Sequence, residues 1–464
     1  MTIAAADLQN RPGPTYRALA DALAEAIGDG RLADGARLPP QRELAYRLDV
    51  TVGTVGRAYD LLAQRGLCRG EVGRGTYVLP RTEPLRVAAG SGEVDGLIDL
   101  TSNFPAPVPA QAGLGDLLPM QEGAVELLAD LLRYPDAAGA LRHRVEAAAW
   151  LGQLGLSAEP ERILLTNGAE GALASVLLAL ARPGDTVLTE ALCYSGLRNL
   201  AARVGLHLEP VALDADGIVP EALVAAVRQR GARLLITSPN LHNPTATLTP
   251  LARREAIAAT ARELDLQLVE DDVYGPLLAE RPPALAALVP ERTLYLTSVS
   301  KFLAPGLRLG IVHGPNSLVR PLVAAQRELS LGLAPFSGEL FARAHKAGLL
   351  ALALSQQRAE MRERQQMAAG LLDGLELQTQ PVALHVWLHL PARWSGAEAA
   401  LALARTGVLV TPADRFFIGR GSAPQALRVS LAAAPTRSHL RGALERIAGV
   451  LAPDACSSAF GSLV

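Results

Sequence analysis

Lysine is almost absent from this chain of 464 residues: of 44 basic residues only Lys301 and Lys346 are lysine, and the rest are arginine. Cysteine is nearly as scarce. Cys68, Cys193 and Cys456 form an odd set with no CxxC spacing, which argues against a disulfide framework or a zinc site and fits a reducing cytoplasm. Long apolar runs are missing too. The longest, near ALASVLLALA, is too short to span a bilayer, and the opening MTIAAADLQNRPGP lacks a basic region followed by an apolar stretch, so no membrane association is expected. A net charge of −2 supplies no bulk attraction to nucleic acid, and residues 1 to 85 carry eleven Arg against ten Asp plus Glu. Any DNA binding must therefore rest on where charges sit. What the chain does have is 49% hydrophobic residues, enough for a large core spread over about two to four structural units.

The first eighty residues read as short helices followed by a hairpin. In TYRALADALAEAIGDG, Leu19, Leu23 and Ile27 recur every fourth residue and Gly28 ends the pattern, which specifies one amphipathic helix. LPPQRELAYRL starts a second helix after a proline pair. In TVGTVGRAYDLLAQRG, Thr51 is placed as N-cap, and Val55, Ala58, Tyr59 and Leu62 follow helical spacing. The opposite face carries Gly53, Gly56, Arg57 and Asp60. Two strand-like pieces then flank Gly73-Arg74-Gly75, completing a winged helix-turn-helix pattern. Two glycines in one short helix cost roughly 1 kcal/mol each. Small residues there let the helix approach a DNA backbone closely, with Arg57 and Thr54 reaching phosphates or base edges; a solvated surface helix is the plainer account.

Residues 14 to 78 resemble the DNA-binding domain of GntR-type bacterial regulators, through the GRLADGARLP turn, the RELA helix, the TVGRAY recognition helix and the GRGT wing. By that resemblance Arg42, Thr51, Thr54, Arg57 and Gly75 lie at the DNA. Val52 stands where the family often carries Arg, which removes one phosphate contact. Residues 1–80 are thus expected to form the DNA-binding domain. Residues 81–97, rich in Pro, Gly and mixed charge without a period, are expected to be a linker. A further domain is expected over 98–464.

Beyond residue 150, the apolar runs ERILLT, DTVLTE, ARLLITS, LQLVED, TLYLTS and LRLGIVHG alternate with helical tracts. That alternation indicates an α/β fold with a buried, mostly parallel sheet. Ligands of such sheets bind beyond the carboxyl ends of the strands. The polar tails fall there: residues 166–169, 190–194, 239–245, 270–272 and 298–301. Gly168 and Ala169 open a helix directly after a strand, a place for a phosphate. Ser298, Ser300 and Arg308 add donors to it. Asp271 offers a carboxylate for a protonated ring nitrogen, Tyr274 a phenol, Tyr194 a stacking face, and Lys301 an amine that can form an imine. Together they describe pyridoxal phosphate. Singly, Asp271 could instead be a capping or ion-paired carboxylate and Arg308 its partner. His385 and His389 share a strand face with Trp387, and lacking a third ligand nearby they read as packing or a cavity wall, not a metal site.

Residues 98 to 452 resemble the fold-type I aminotransferases of class I and II, through LTNGAEGAL, EALCYSG, SPNLHNPTATLT, VEDDVYGPL, SVSKFLAPGLRLG and QALRVSLA. The resemblance implies a large domain with a smaller C-terminal subdomain. It makes Lys301 the Schiff-base lysine, Asp271 the pyridinium partner, and Asn243 and Tyr274 donors to the ring oxygen. Tyr194 becomes the stacking ring, Gly168, Ala169, Ser298, Ser300 and Arg308 the phosphate cup, and Arg428 the clamp for a substrate carboxylate. Tyr134 in RYPDAAG matches a tyrosine that reaches the neighbouring subunit's phosphate, which implies a homodimer. Two departures stand out: Ala246 replaces the glycine after Asn-Pro-Thr, and ALCY lacks a common proline.

The fusion of the two resembles the MocR group of transcription regulators. That resemblance implies a cytoplasmic, PLP-dependent regulator that binds an operator in double-stranded DNA and senses an amino compound through external aldimine formation, without net turnover. Two alternatives stay open: a working aminotransferase carrying a DNA-binding head, and a regulator that senses pyridoxal phosphate itself.

Overall fold

The computed structural model describes residues 14–28, 31–33, 35–64, 67–71, 75–78, 97–117, 131–419 and 421–451. Two compact units are formed, and each is taken by itself. In the N-terminal unit, helices α1 (Thr15–Gly28), α2 (Gln41–Leu48) and α3 (Val52–Gln64) precede an antiparallel pair, β1 (Cys68–Glu71) and β2 (Gly75–Val78). Leu19, Leu23 and Ile27 of α1 pack with Leu44 and Leu48 of α2 and with Val55, Ala58, Tyr59 and Leu62 of α3 in one core. The fourfold spacing of these residues is what turns one stripe of each helix inward. Pro39 and Pro40 fix the entry to α2, and Tyr59 donates from its hydroxyl to the Pro39 carbonyl at 2.7 Å. The wing tip, residues 72–74, and the expected linker as far as residue 96 lie outside the described residues.

The C-terminal unit is built on a seven-stranded sheet. Its strands are β3 (Ile163–Asn167), β4 (Thr186–Glu190), β5 (His207–Val211), β6 (Leu234–Thr237), β7 (Gln267–Asp271), β8 (Thr293–Ser298) and β9 (Leu309–His313), in the order β3-β9-β8-β7-β6-β4-β5. All neighbours are parallel except β9, which runs against both β8 and β3. The six runs expected from the sequence are present. β5 was not among them: His207-Leu-Glu-Pro-Val is an edge strand with a proline and a half-exposed face, so it carries no continuous apolar run. Because β9 is reversed, its beginning sits at the same edge as the carboxyl ends of the parallel strands, which brings Arg308 to the mouth.

A smaller C-terminal part holds the antiparallel strands β10 (Leu377–Gln378), β11 (His385–His389), β12 (Thr411–Pro412) and β13 (Ala426–Ser430) in the order β10-β11-β13-β12. Helices Leu349–Leu371, Gly396–Arg405 and Arg437–Leu451 accompany it. Trp387 of β11 stands opposite Arg428 of β13, and Thr411 of β12 stands opposite Arg428 on its other side. His385, Trp387, Arg428 and Thr411 therefore share one face. No helix among the described residues is long and apolar enough to cross a membrane.

Candidate cofactor and ligand site

On the N-terminal unit, Thr51 caps α3: its hydroxyl oxygen accepts from the Thr54 amide at 3.1 Å and lies 2.8 Å from the Thr54 hydroxyl. Arg42, Thr51 and Arg57 are exposed and Thr54 half-exposed. A Cβ on Gly53 would meet only Thr51 Oγ1 at 3.9 Å, and one on Gly56 only the Gln41 side chain from 3.4 Å outward. Internal packing therefore accepts alanine at both positions, so it supplies no reason for the glycines. Gly75 has an internal reason: its φ is +119° and a Cβ would come within 2.6 Å of Arg37 Nε.

In the C-terminal unit, β3 ends at Asn167 and helix α4 (Gly168–Leu180) begins at once. Gly168 has φ +75°, and a Cβ there would strike the Arg308 guanidinium at 2.8 Å. The first α4 turn, Arg308 and the half-exposed hydroxyl residue Ser300 thus lie at the same edge of the sheet, where free helix amides can meet an anion. Ser298 has a different position: its hydroxyl donates to the Leu309 carbonyl at 2.7 Å and accepts from the Ser300 amide at 3.1 Å, holding the turn that presents Ser300 and Lys301. Arg308 pairs with Glu170 at 3.5 Å, and Glu170 accepts from the Tyr194 hydroxyl at 2.7 Å. Burial first, and this carboxylate second, raise the Tyr194 phenol above its ordinary range.

Asp271, at the end of β7, has a buried Oδ1 without a hydrogen-bond partner. Burial, and then the neighbouring Asp272 carboxylate, push Asp271 up to about 7. Asp272 points the other way into the protein. It accepts from Asn240 at 2.7 Å, from the Tyr295 hydroxyl at 2.5 Å and from Arg281 at 2.5 Å. The ion-paired structural carboxylate is thus Asp272, and Asp271 is left with an acceptor to spare. Beside it lies a small pocket of about 10 Å³, lined in part by Glu190, Tyr194, His242 and Asp271.

Leu241 and Ala246 flank the His242-Asn243-Pro244-Thr245 segment with φ of 47° and 58°. Ala246, which stands where the resembled family has glycine, takes the left-handed conformation that glycine adopts without strain. Asn243 Oδ1 accepts from Arg428 at 2.7 Å, which leaves its amide hydrogens as donors. Arg428 is buried, lies 4.7 Å above the Phe416 ring centre, donates to the Thr101 carbonyl, and keeps an unpartnered Nε. Burial holds its guanidinium below the usual range.

Lys301 Nζ donates to the Asn103 carbonyl at 2.9 Å and lies 5.5 Å from the centre of the Tyr274 ring. Asn103 was missed by sequence reasoning, as was His385 as a site residue. The Asn103 amide donates to the Tyr274 hydroxyl at 3.1 Å and meets His385 Nδ1 at 2.9 Å. Burial, then Arg428, holds His385 down to about 3. The ring is therefore neutral, donating from Nε2 to the His242 carbonyl at 3.3 Å and accepting at Nδ1. The only available signal was position: TSNFPAP opens the domain and alternation set His385 on a buried face.

Gly168, Ala169, Tyr194, Asn243, Asp271, Tyr274, Ser298, Ser300, Lys301, Arg308 and Arg428 thus gather at one sheet edge. Tyr134 does not join them within the chain: it is 88% exposed. The second lysine, Lys346, is a surface residue paired with Glu146 at 3.4 Å.

Residues 113–447 match the family described as aminotransferase class I and II, and residues 15–78 match the bacterial regulatory proteins of the gntR family. The chain is 30% identical to the HTH-type transcriptional regulator YdeF of Bacillus subtilis over 93% of each protein. It is 29% identical to the vitamin B6 salvage pathway transcriptional repressor PtsJ of Salmonella typhimurium, over 90% of this chain and 94% of that protein. Among solved structures, it resembles the α-aminoadipate aminotransferase LysN of Thermus thermophilus, complexed with N-(5'-phosphopyridoxyl)-L-leucine. The TM-score is 0.69 and the identity 27%, over 77% of this chain and 92% of that one. A gntR-family domain joined to a class I and II aminotransferase domain places this chain in the family of HTH-type transcriptional regulators that share that architecture.

Proposed function

We propose that the C-terminal unit holds pyridoxal phosphate at Lys301 and that an amino compound bearing a carboxylate is the signal that alters DNA binding by the N-terminal unit. The observation that carries this reading is the unpartnered, buried Oδ1 of Asp271 at the same edge as Lys301 and the Gly168–Arg308 cradle. A buried carboxylate oxygen without a partner fits a protonated ring nitrogen, and a helix start with an adjacent guanidinium fits a phosphate.

When bound, the cofactor supplies an aldehyde that condenses reversibly with amines. Lys301 is the amine within the chain that reaches it, because guanidinium stays protonated and is a poor nucleophile. Asp271 accepts from the ring nitrogen and keeps its proton in place. Asn243 and Tyr274 donate to the ring oxygen, Tyr194 covers the ring, and Ser300, Arg308 and the α4 amides receive the phosphate. Arg428, buried and already in contact with Asn243, receives the carboxylate of the incoming amino compound.

The domain limits we propose are 1–80 for DNA binding, 81–97 for the linker and 98–464 for the aminotransferase-like part. Arg42, Thr51, Thr54, Arg57 and Gly75 form the DNA face, on an operator in double-stranded DNA. The exposed Tyr134, with exposed Leu132 and Leu331, supports a homodimer in which Tyr134 reaches the partner's phosphate site. Sedimentation tests it: a monomer with full cofactor occupancy refutes the shared site. Such a regulator works in the cytoplasm, where DNA is reached.

The test of the whole reading is Lys301→Ala. It should abolish the visible absorbance band of the bound cofactor and its trapping by borohydride. A retained, trappable band would move the attachment to Lys346. A second reading, that the chain senses pyridoxal phosphate itself, is favoured by the likeness to PtsJ, a vitamin B6 salvage pathway transcriptional repressor. It requires DNA affinity to change on adding the cofactor alone. Turnover as an aminotransferase would instead convert the cofactor to its amine form with an amino acid.

A further inference from the structure

Lys301 and Arg428, the two groups that the proposed ligand needs, are both engaged by one short piece of backbone. Lys301 Nζ donates to the Asn103 carbonyl at 2.9 Å, and Arg428 donates to the Thr101 carbonyl. These carbonyls belong to a strap, residues 98–104, that lies across the site. Its start is pinned by Ile98 N to the Gly407 carbonyl at 2.8 Å and by Leu100 N to the Leu409 carbonyl at 2.9 Å, while Ser430 N donates to the Leu100 carbonyl at 3.0 Å. The Asn103 side chain fastens the far end to Tyr274 and His385. Residue 98 also follows directly, along the chain, the sequence that joins this unit to the DNA-binding one.

We propose that this strap is the element by which the site reports its occupancy, and that only a ligand with both an amine and a carboxylate operates it. The inference rests on the cofactor reading above. Lys301 condensed with an aldehyde keeps at most one hydrogen on Nζ and releases Asn103. An incoming amine that takes its place breaks one C=N bond as it forms another, with no change of oxidation state, and its two hydrogens end on Nζ. Lys301 then holds Asn103 again. The ligand carboxylate meanwhile competes with the Thr101 carbonyl for Arg428, and a charge-assisted bidentate pair outcompetes a neutral carbonyl. After that exchange the Thr101 carbonyl keeps only the Thr411 hydroxyl at 3.3 Å, and the other bonds of Thr101 run to Asp99 within the strap itself. The strap's hold thus passes from Thr101 to Asn103. A plain amine restores the hold at Asn103 without loosening Thr101, and a plain acid loosens Thr101 alone.

The experiment uses the full chain loaded with pyridoxal phosphate. Each of the twenty amino acids is screened by absorbance, and the one that changes the spectrum is compared with its decarboxylated amine and its deaminated acid. Hydrogen exchange is read at Ile98 and Leu100, and affinity is read on a DNA duplex selected by the protein from a random pool. The expected result is exchange at Ile98 and Leu100 faster by about tenfold with the amino acid than with its amine, the equivalent of one charge-assisted hydrogen bond. DNA affinity should change with the amino acid and not with the amine. A spectral change with equal exchange for amino acid and amine overturns the strap and leaves the site reading standing. Faster exchange without any change in DNA affinity overturns its reporting role. A spectrum unmoved by every amino acid removes the ligand reading, and the strap proposal with it.

Discussion

Asp271→Asn separates the charge of this carboxylate from its place in the fold. In the cofactor-free chain, burial and Asp272 raise Asp271 from 3.8 to about 7. The folded protein therefore keeps a proton that the unfolded chain releases. The stability tied to this group is full below its ordinary value and is lost as pH rises through about 7. Between pH 5.5 and pH 8 the loss is about 2 kcal/mol, at about 1.4 kcal/mol per pH unit over the roughly 1.5 units up to the folded value. Asparagine carries no proton to lose. Urea unfolding of the cofactor-free proteins reads this directly, because Trp150, Trp387 and Trp394 all lie in the C-terminal unit. Glu270 titrates in the same window, pushed up to about 7 by burial and then Asp272, and contributes the same background to both proteins. Wild type should lose about 2 kcal/mol more than the variant between the two pH values. Pyridoxal phosphate should then reverse the order by stabilising wild type more than the variant at pH 8. Parallel losses in the two proteins would refute the placement of Asp271 as a buried, unpaired acid.

Other substitutions address the remaining parts. Gly53→Ala should stabilise the N-terminal unit, by at most about 1 kcal/mol through helix propensity, since the added methyl meets only Thr51 Oγ1 at 3.9 Å, and should weaken DNA binding. Calorimetry and anisotropy on the full chain check the two signs, and a stabilised variant with unchanged DNA affinity removes the close-approach reading. Glu170→Gln takes a carboxylate away from Arg308 and the phosphate edge. It should tighten pyridoxal phosphate by about threefold to tenfold, the scale of an exposed charge pair near 1 kcal/mol, as read by equilibrium dialysis.

The layout of strands and helices was legible in the sequence because core faces impose their periods on it. Buried strands such as β8 read as unbroken apolar runs, and α1 and α3 as fourfold stripes. β5 escaped because an edge strand need not be apolar throughout. The reversal of β9 escaped because a buried antiparallel strand has the same composition as a parallel one. Residue types at strand ends pointed to the mouth, so Lys301, Asp271 and Arg308 could be singled out in advance. The division of labour between Asp271 and Asp272 could not, since two adjacent aspartates differ only in the side of the strand they take. Asn103 was invisible for another reason. It acts through a backbone carbonyl as well as an amide, and it meets Lys301, Tyr274 and His385 only across sequence separations of 171 to 282 residues.

The scarcity of lysine has a consequence for selectivity in a chemical sense. An aldehyde cofactor reacts without discrimination with accessible amines, and an ordinary protein surface offers it dozens of false attachment points. Here the only other lysine side chain, Lys346, is held against Glu146 on the surface. The arginine-rich exterior is inert toward such condensation. On the proposed reading, Lys346 is then the one lysine side chain that competes with Lys301 for free pyridoxal phosphate, so few side-chain adducts elsewhere blur the readout.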